Sequence, residues 1–405
     1  MYDVIIIGGG AAGLYCALHL SKKHNILLLD ERNYLGGRIH SHRKPQYEIG
    51  AARFHKKQKH LCNLIKKYKL TPYKLPDNSD YLDKIHGYIP VGKDFFHTVI
   101  KDVLNKSKSL SKSYLQNITF KQLCEKYYNH QDISFIINVF GYRCEFMQLS
   151  AYEGCNTFSR DFIGNKYYIL AEGLSTLCNK MEENIIKNKG SLLCNKCVTN
   201  VTRNHDIFCV EVNNKQIYKS NKVIFAIKPH QMKEFSLLQP IHHHLKSVFP
   251  GKLLRIYAVF PRKDNKVWFN DLNRTTTNSF LRHIIPISKE SGLIMISYTD
   301  GLDVKPFLKS PYVLKDDNVI EKMVLAEVRA LFSEVTIPNP TYFKSHFWSH
   351  GAHFWKVGYD SDKIIKEMIN PLKNVYTCGE GFSKKQAWIE GALESAQLVI
   401  NNSEW

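Results

Sequence analysis

The spacing of apolar and polar positions changes several times along the chain, and each change predicts an element. Val4 to Ile7 is apolar on both faces, as in a strand buried within a parallel sheet. Glycines follow directly, and Ala11 to Leu20 then reads as a helix with Leu14, Leu18 and alanines along one side. Ile26-Leu27-Leu28-Leu29 repeats the buried-strand pattern and ends on Asp30. Tyr47-Glu48-Ile49 is strand-like, and Lys57 to Tyr68 is helical. From about Leu75 to Gly164 helical periods dominate, clearest over Phe95 to Leu104 and Phe120 to Tyr128. Gly173-Leu174 opens a helix that runs to Ile186. Strand-like runs follow at Leu192 to Cys194, Val198 to Val201, Phe208 to Val212 and Val223 to Ala226, a meander closed by Lys228-Pro229. A second strand-rich region begins at Leu253 to Phe260 and continues in Leu293 to Tyr298 and Tyr342 to Trp348, with the amphipathic helix Asp317 to Phe332 between them. Asn374 to Thr377 is a buried strand and Ala387 to Ile400 a helix. No internal repeat or low-complexity linker interrupts this order, so the chain alternates twice between two domains instead of splitting at one linker.

The turn after the first strand carries Gly8, Gly10 and Gly13, a G-x-G-x-x-G. Gly8 permits the tight turn, Gly10 lets the backbone approach a pyrophosphate, and Gly13 lets the helix pack closely on the strand. Ala11 and Ala12 open the helix, whose free N–H groups and positive end favour phosphate. Asp30, followed by Glu31 and Arg32, ends the second strand, where an acidic residue accepts hydrogen bonds from a ribose. On its own this dinucleotide fingerprint allows NAD as well as FAD.

Length and composition narrow the class. A chain of 405 residues suits two domains, and its 44% hydrophobic content suits a globular protein. No run of about 18 apolar residues exists, so no membrane span is expected. The first strand begins at residue 2, which leaves no room for a signal peptide, and the terminal NNSEW offers neither an anchor nor a peroxisomal address. The expected location is cytoplasmic, with the ten cysteines as reduced thiols. Cys194-Asn195-Lys196-Cys197 lacks the second pair that zinc requires, and no metal is expected; His242-His243-His244 reads as a solvated loop. The formal charge of +19 invites a nucleic-acid reading. Lysine, asparagine and isoleucine are abundant throughout, however, as in an AT-rich coding sequence, and no block of five consecutive basic residues appears. No dedicated nucleic-acid site is expected.

After Asp30 the chain continues to Gly36-Gly37-Arg38, and this G-G-R loop resembles that of flavoproteins of the amine oxidase family. There the loop runs along the FAD pyrophosphate, and Arg38 can hold phosphate through its planar fork. The last segment, NVYTCGEGFSKKQAWIEGALESAQ, closely resembles the family's C-terminal signature. The resemblance implies that Gly379-Glu380 meets the ribityl chain, and that Trp388-Ile389 opens a helix pointed at the flavin ring. Leu170-Ala171-Glu172-Gly173-Leu174, Cys197 to Val201 and Val223 to Ala226 fit as well, with Val198 matching the valine that meets adenine through its backbone. Composition also resembles amine oxidase-like proteins of large DNA viruses. The implied fold is α/β, a two-domain flavoprotein. A Rossmann-like FAD-binding domain (1–75, 165–240 and 366–405) is interleaved with an α+β substrate domain (76–164 and 241–365) that contains a helical insertion. The resemblance implies non-covalent FAD, because no cysteine stands in SHFWSHGAHFWKVG to form the cysteinyl link of mitochondrial monoamine oxidases.

Members of the family take a hydride equivalent from the carbon beside an amine, and oxygen reoxidises the flavin to give peroxide. Trp388 is the first candidate for an aromatic cage before the ring, or else it packs the last helix. The facing wall is expected from His353, Phe354 and Trp355, where the family often has G-x-Tyr and this chain has Gly351-Ala352-His353. The family commonly has a lysine, bound through water to flavin N5, at a position that here holds Arg255, with Lys252 three residues earlier. Arginine cannot accept a proton near neutral pH, so either oxygen reactivity falls or Arg255 supplies positive charge. Gly50-Ala51-Ala52-Arg53 is similar to the G-x-x-Arg of L-amino-acid oxidases, whose arginine grips the substrate carboxylate. The alternatives for Arg53 are contact with cofactor phosphate or capping of the following helix, and Gly37, Gly50, Ala51 and Ala52 are cofactor candidates with it. The expected function is oxidation of an L-α-amino acid, with polyamine or protein-lysine oxidation as the enzymatic alternative. A flavin-binding protein with little turnover is the alternative of another class. A homodimer is compatible with all three.

Overall fold

The structure is a computed structural model that describes residues 1–90, 95–401 and 405. Of the terminal NNSEW, Asn402, Ser403 and Glu404 lie outside the described residues. The chain divides into two compact units, one made of Met1–Leu75, Asn165–Phe249 and Tyr359–Trp405, the other of Pro76–Gly164 and Pro250–Gly358.

The first unit is built on a seven-stranded sheet. Ser191–Leu193, Ile26–Leu29, Tyr2–Ile7 and the far half of Gln216–Phe225 run parallel, and Val375–Thr377 joins that half on its other side. Ile207–Val212 and Val198–Asn204 extend the near half as an antiparallel meander. The strands with no polar face are those buried on both sides, as parallel sheets require: Val4 to Ile7 and Ile26 to Leu29 are all buried. Helix Ala11–Leu20, buried everywhere but at His19, packs beside helices Ser175–Lys187 and Ile389–Ile400 in one apolar core.

The second unit has its own seven-stranded sheet, in the order Tyr342–Trp355, Val248–Val259, Leu293–Asp300, His283–Ser288, Arg274–Thr277, Ser79–Asp83, Gly87–Ile89. Helix Asp317–Leu331 buries Ile320, Val324 and Val328 in the apolar cluster of this sheet. The segment from Phe95 to Phe162 is helical and has a separate core of phenylalanines, with Phe120 stacked on Phe158 and Phe146 edge-on to Phe140 and Phe158. Among the described residues, no helix is long and apolar enough to cross a membrane. All ten cysteines are free.

Three elements differ from the sequence expectation. The region from Leu75 is not helical at its start, because Ser79–Asp83 and Gly87–Ile89 are strands. The first of these pairs in parallel with Arg274–Thr277, a partner too distant in sequence to leave a local periodicity. The strand from Tyr342 continues past Trp348 to Trp355. Gly351 allows this, since a Cβ there would lie 2.5 Å from Leu253 Cγ. The last helix begins at Ile389 rather than Ala387, which has a left-handed φ of 64°.

Candidate functional site

Two glycines set the geometry of the first loop. Gly8 has φ +103°, and a Cβ on it would sit 2.6 Å from the Ala226 carbonyl oxygen. At Gly13 a Cβ would lie 1.9 Å from the Gly8 carbonyl oxygen, so helix and strand can meet only without a side chain. Gly10 is different: a Cβ there would meet no protein atom within 4 Å. Space is therefore kept in front of Gly10, and the protein does not fill it.

The loop after the second strand closes against this one. Gly36 N–H donates to the Gly9 carbonyl at 2.8 Å, and a Cβ on Gly37 would be 3.1 Å from Gly10 Cα. Asp30 ties the two together, accepting from Gly9 N–H at 2.6 Å and from Arg32 N–H at 2.8 Å. Burial pushes its carboxyl above the usual range, and these two donors pull it back in part. Both Asp30 oxygens are thus engaged by backbone, while Glu31 beside it is solvent-exposed. Arg32 donates to the Gly37 carbonyl at 2.7 Å and to Tyr34 at 3.1 Å. Cys194 to Cys197 runs alongside, with Asn195 N–H on the Arg32 carbonyl and Lys196 N–H on the Asp30 carbonyl, and leads into Val198.

Arg38 reaches Glu380 at 2.6 Å, and the other Glu380 oxygen accepts from Ala387 N–H at 3.1 Å. One carboxylate thereby joins the G-G-R loop, the turn after strand Val375–Thr377, and the residue before Trp388. Gly379 N–H donates to Ser395 on the last helix. Ala51 N–H bonds the Arg38 carbonyl, which lays Gly50-Ala51-Ala52 along the same loop and leads to Arg53.

Arg53 and Trp388 are brought together. The Arg53 guanidinium carbon lies 4.6 Å from the Tyr167 ring centroid and 5.9 Å from that of Trp388. The two rings are parallel within 1°, with centroids 6.2 Å apart. Buried His55 meets both edge-on, at 5.3 Å from Trp388 and 6.2 Å from Tyr167. Cation–π contact of this kind is worth about 0.5–2 kcal/mol and orients the fork. Ile389 follows Trp388 as the first residue of the helix, and Glu390 behind it is fully buried. Tyr167 and His55 were not singled out from sequence. Tyr167 lies in a short strand paired to Phe54–His55, a juxtaposition that no motif records.

The remaining candidates lie on the second unit. Arg255, on strand Val248–Val259, is buried with its guanidinium carbon 4.5 Å from the Tyr298 ring centroid. Burial works against its charge, but neighbouring Tyr298, Tyr257 and Tyr142 outweigh that and hold the proton more tightly than usual. His353, Phe354 and Trp355 lie on the neighbouring strand and are all buried. The Phe354 ring covers Gly251, where a Cβ would lie 2.7 Å away, and the Trp355 carbonyl accepts from Ser150 N–H. The family model for flavin-containing amine oxidoreductases matches residues 92–399, and that for an NAD(P)-binding Rossmann-like domain matches residues 6–68.

The chain belongs to the flavin-containing amine oxidoreductase family. Among curated proteins, it is 38% identical over 92 residues to an uncharacterized protein of Acanthamoeba polyphaga mimivirus, covering 20% of this chain and 18% of that one. It is 37% identical over 76 residues to the flavin-dependent L-tryptophan oxidase of Lentzea aerocolonigenes, covering 17% and 16%. It is 32% identical over 91 residues to the flavin-containing amine oxidase A of Equus caballus, covering 22% and 17%. The matched stretches thus span under a fifth of each curated relative. A solved structure of a putrescine oxidase redesigned in its cofactor binding matches with a TM-score of 0.78 at 15% identity, over 98% of this chain and 97% of that one, which shows a shared fold. The cofactor of this family member is FAD, and the loops fit it. The clearance at Gly10 suits a pyrophosphate, Arg38 lies at the same cradle, and exposed Glu31 follows the strand end.

Proposed function

We propose that the chain oxidises the C–N bond of an L-α-amino acid to an imine, with oxygen reduced to hydrogen peroxide. The first unit holds FAD without a covalent bond: Gly8, Gly10, Ala11, Ala12, Gly13, Gly37 and Arg38 at the phosphates, Glu31 at the ribose with Asp30 shaping the loop, Val198 at the adenine, and Gly379, Glu380 and Ile389 toward the flavin. FAD, when bound, supplies the hydride acceptor. The chain's own part is to bind the substrate, turn its Cα–H to one face and keep water away; it need supply neither nucleophile nor metal.

The observation that carries this reading is the Arg53 guanidinium held against the parallel rings of Tyr167 and Trp388. A guanidinium oriented by aromatic faces can offer two parallel N–H donors to a carboxylate. The matched L-tryptophan oxidase stretch is consistent with an amino-acid substrate. Polyamine oxidation is the alternative, suggested by the fold shared with putrescine oxidase, but the +19 charge would repel polycations. Little turnover is the third reading, kept by Arg255 where the family commonly has lysine.

The test compares an amino acid with its decarboxylated amine. Losing one partner of a desolvated charge pair typically costs about 2–5 kcal/mol, so Arg53→Ala should lower kcat/KM for the amino acid by roughly 30- to several-thousand-fold. The amine should be barely affected, Arg53→Lys should recover only part of the loss, and acid precipitation should leave a colourless pellet. A wild-type preference for the amine, or equal loss on both substrates, would refute the carboxylate role.

A further inference from the structure

In the sequence Lys228 closes a meander, and in the structure it follows the strand end beside the glycine turn. It follows Ala226-Ile227, the pair that closes over the glycine turn: the Ala226 carbonyl and Ile227 Cγ2 would lie 2.6 and 3.0 Å from a Cβ on Gly8. The side chain is half-buried, and among the described residues it forms no ion pair. The acids nearby are engaged elsewhere. Asp30 is held by two backbone N–H groups, Glu380 by Arg38 and Ala387, and Glu31 accepts from Gln231 at 3.4 Å. Arg32 and Arg38 belong to the loop that closes on the glycine turn, Arg32 bonded to the Gly37 carbonyl and Arg38 to Glu380.

Arg38, paired with Glu380, and Lys228, half-buried with no ion pair among the described residues, thus stand at a loop with open space before Gly10, an arrangement that an anion completes. We propose that Lys228 is a second cationic contact for the FAD pyrophosphate, beside Arg38. The proposal rests on assigning that pyrophosphate to the Gly8–Gly13 loop.

Proton binding supports it. Burial first, then Arg38 and Arg32, hold the Lys228 ammonium down to a pKa of about 8, with Glu31 and Asp30 acting in the opposite sense. A bound pyrophosphate returns the pKa upward. Below pH 8 Lys228 is already charged and FAD affinity should be flat. Above pH 8 binding must take up a proton, so affinity should fall by up to tenfold per unit until the bound-state pKa is reached.

The experiment is dissociation of FAD from the holoenzyme, followed by flavin fluorescence on dilution, at pH 7 and pH 9.5. Wild type should weaken by about 30-fold across that interval, by the same linkage. Lys228→Gln should bind more weakly at pH 7 and lose the slope. Lys228→Arg, which keeps the charge and the fold but does not titrate in this window, should hold FAD at pH 7 and also lose the slope. A slope that persists in Lys228→Arg, or wild-type affinity in Lys228→Gln, would overturn the proposal. A wild type that binds no FAD would instead overturn the cofactor assignment beneath it.

Discussion

Glu390 is a buried acid two residues past Trp388. It is wholly buried in the first turn of the last helix. One oxygen accepts from His60 N–H and the other from Leu61 N–H, each at 3.0 Å. These are first-turn donors of helix Lys59–Lys67, whose own N-cap residue, Gln58, provides no side-chain cap. Glu390 therefore caps a helix more than 300 residues away and ties the segment after Arg53 to the residues after Trp388. Lys385 lies 3.6 Å away and also pairs with Glu394 at 3.1 Å, so it is not stranded if Glu390 is lost. Two charge-assisted bonds at about 1.5–3 kcal/mol each, less the removal of a buried charge, put Glu390→Ala at roughly 3–5 kcal/mol. In a unit of this size, about 2–4 °C per kcal/mol translates this into a fall in Tm of roughly 6–20 °C. Glu390→Gln keeps one acceptor and should fall about halfway. Calorimetry of the holoenzymes at one scan rate measures this, because Tm shifts with rate when unfolding is irreversible. A Glu390→Ala enzyme melting within about 2 °C of wild type would refute the capping role, since even one lost buried bond predicts more.

Two further substitutions separate the cofactor from the substrate. Gly10→Val places a branched side chain in the space kept before Gly10, and the protein should purify colourless with its fold intact by circular dichroism; a yellow preparation would move the pyrophosphate elsewhere. Trp388→Ala removes one face of the Arg53 site, so kcat should fall at least tenfold while bound flavin per mole stays near wild type, a loss of orientation rather than affinity. Parallel loss of both would return Trp388 to packing the last helix.

The first unit was readable in sequence because its chemistry is written in short runs. Buried strands without a polar face, a glycine turn with fixed spacing, and an acid at a strand end are all local. The strands at Ser79–Asp83 and Gly87–Ile89 were not readable, since the first is organised by a partner near residue 275 and carries only two buried residues of its own, Tyr81 and Leu82. Arg53 stood out by its resemblance to a motif, but the rings that orient it come from residues 167 and 388, and neither position reports the other. Glu390 was visible only as one letter in a signature, and its donors lie on a helix it does not neighbour in sequence. Lys228 was invisible for the same reason: a lysine before a proline in a lysine-rich chain carries no local signal.

The scattered positions of the cofactor residues follow from the sheet itself. Ile7 pairs with Leu29 and with Phe225, Leu29 with Leu193, and Phe225 with Thr377, so five parallel strands end level. The chain leaves those ends at Gly8, Asp30, Cys194, Ala226 and Cys378, and every loop that approaches the glycine turn starts there. Parallel strands require a crossover between each pair, and ligands gather at the carboxyl ends of such sheets. Residues more than 300 apart in sequence can therefore lie at hydrogen-bond distance, as Arg38 and Glu380 do, because each is one loop away from a common edge. On that edge Lys228 and Glu380 each stand three residues past a strand end, and Asp30 one residue past. A charged residue there is brought to the common edge by the strand it follows. That geometry, more than local sequence pattern, makes Lys228 a phosphate contact worth testing.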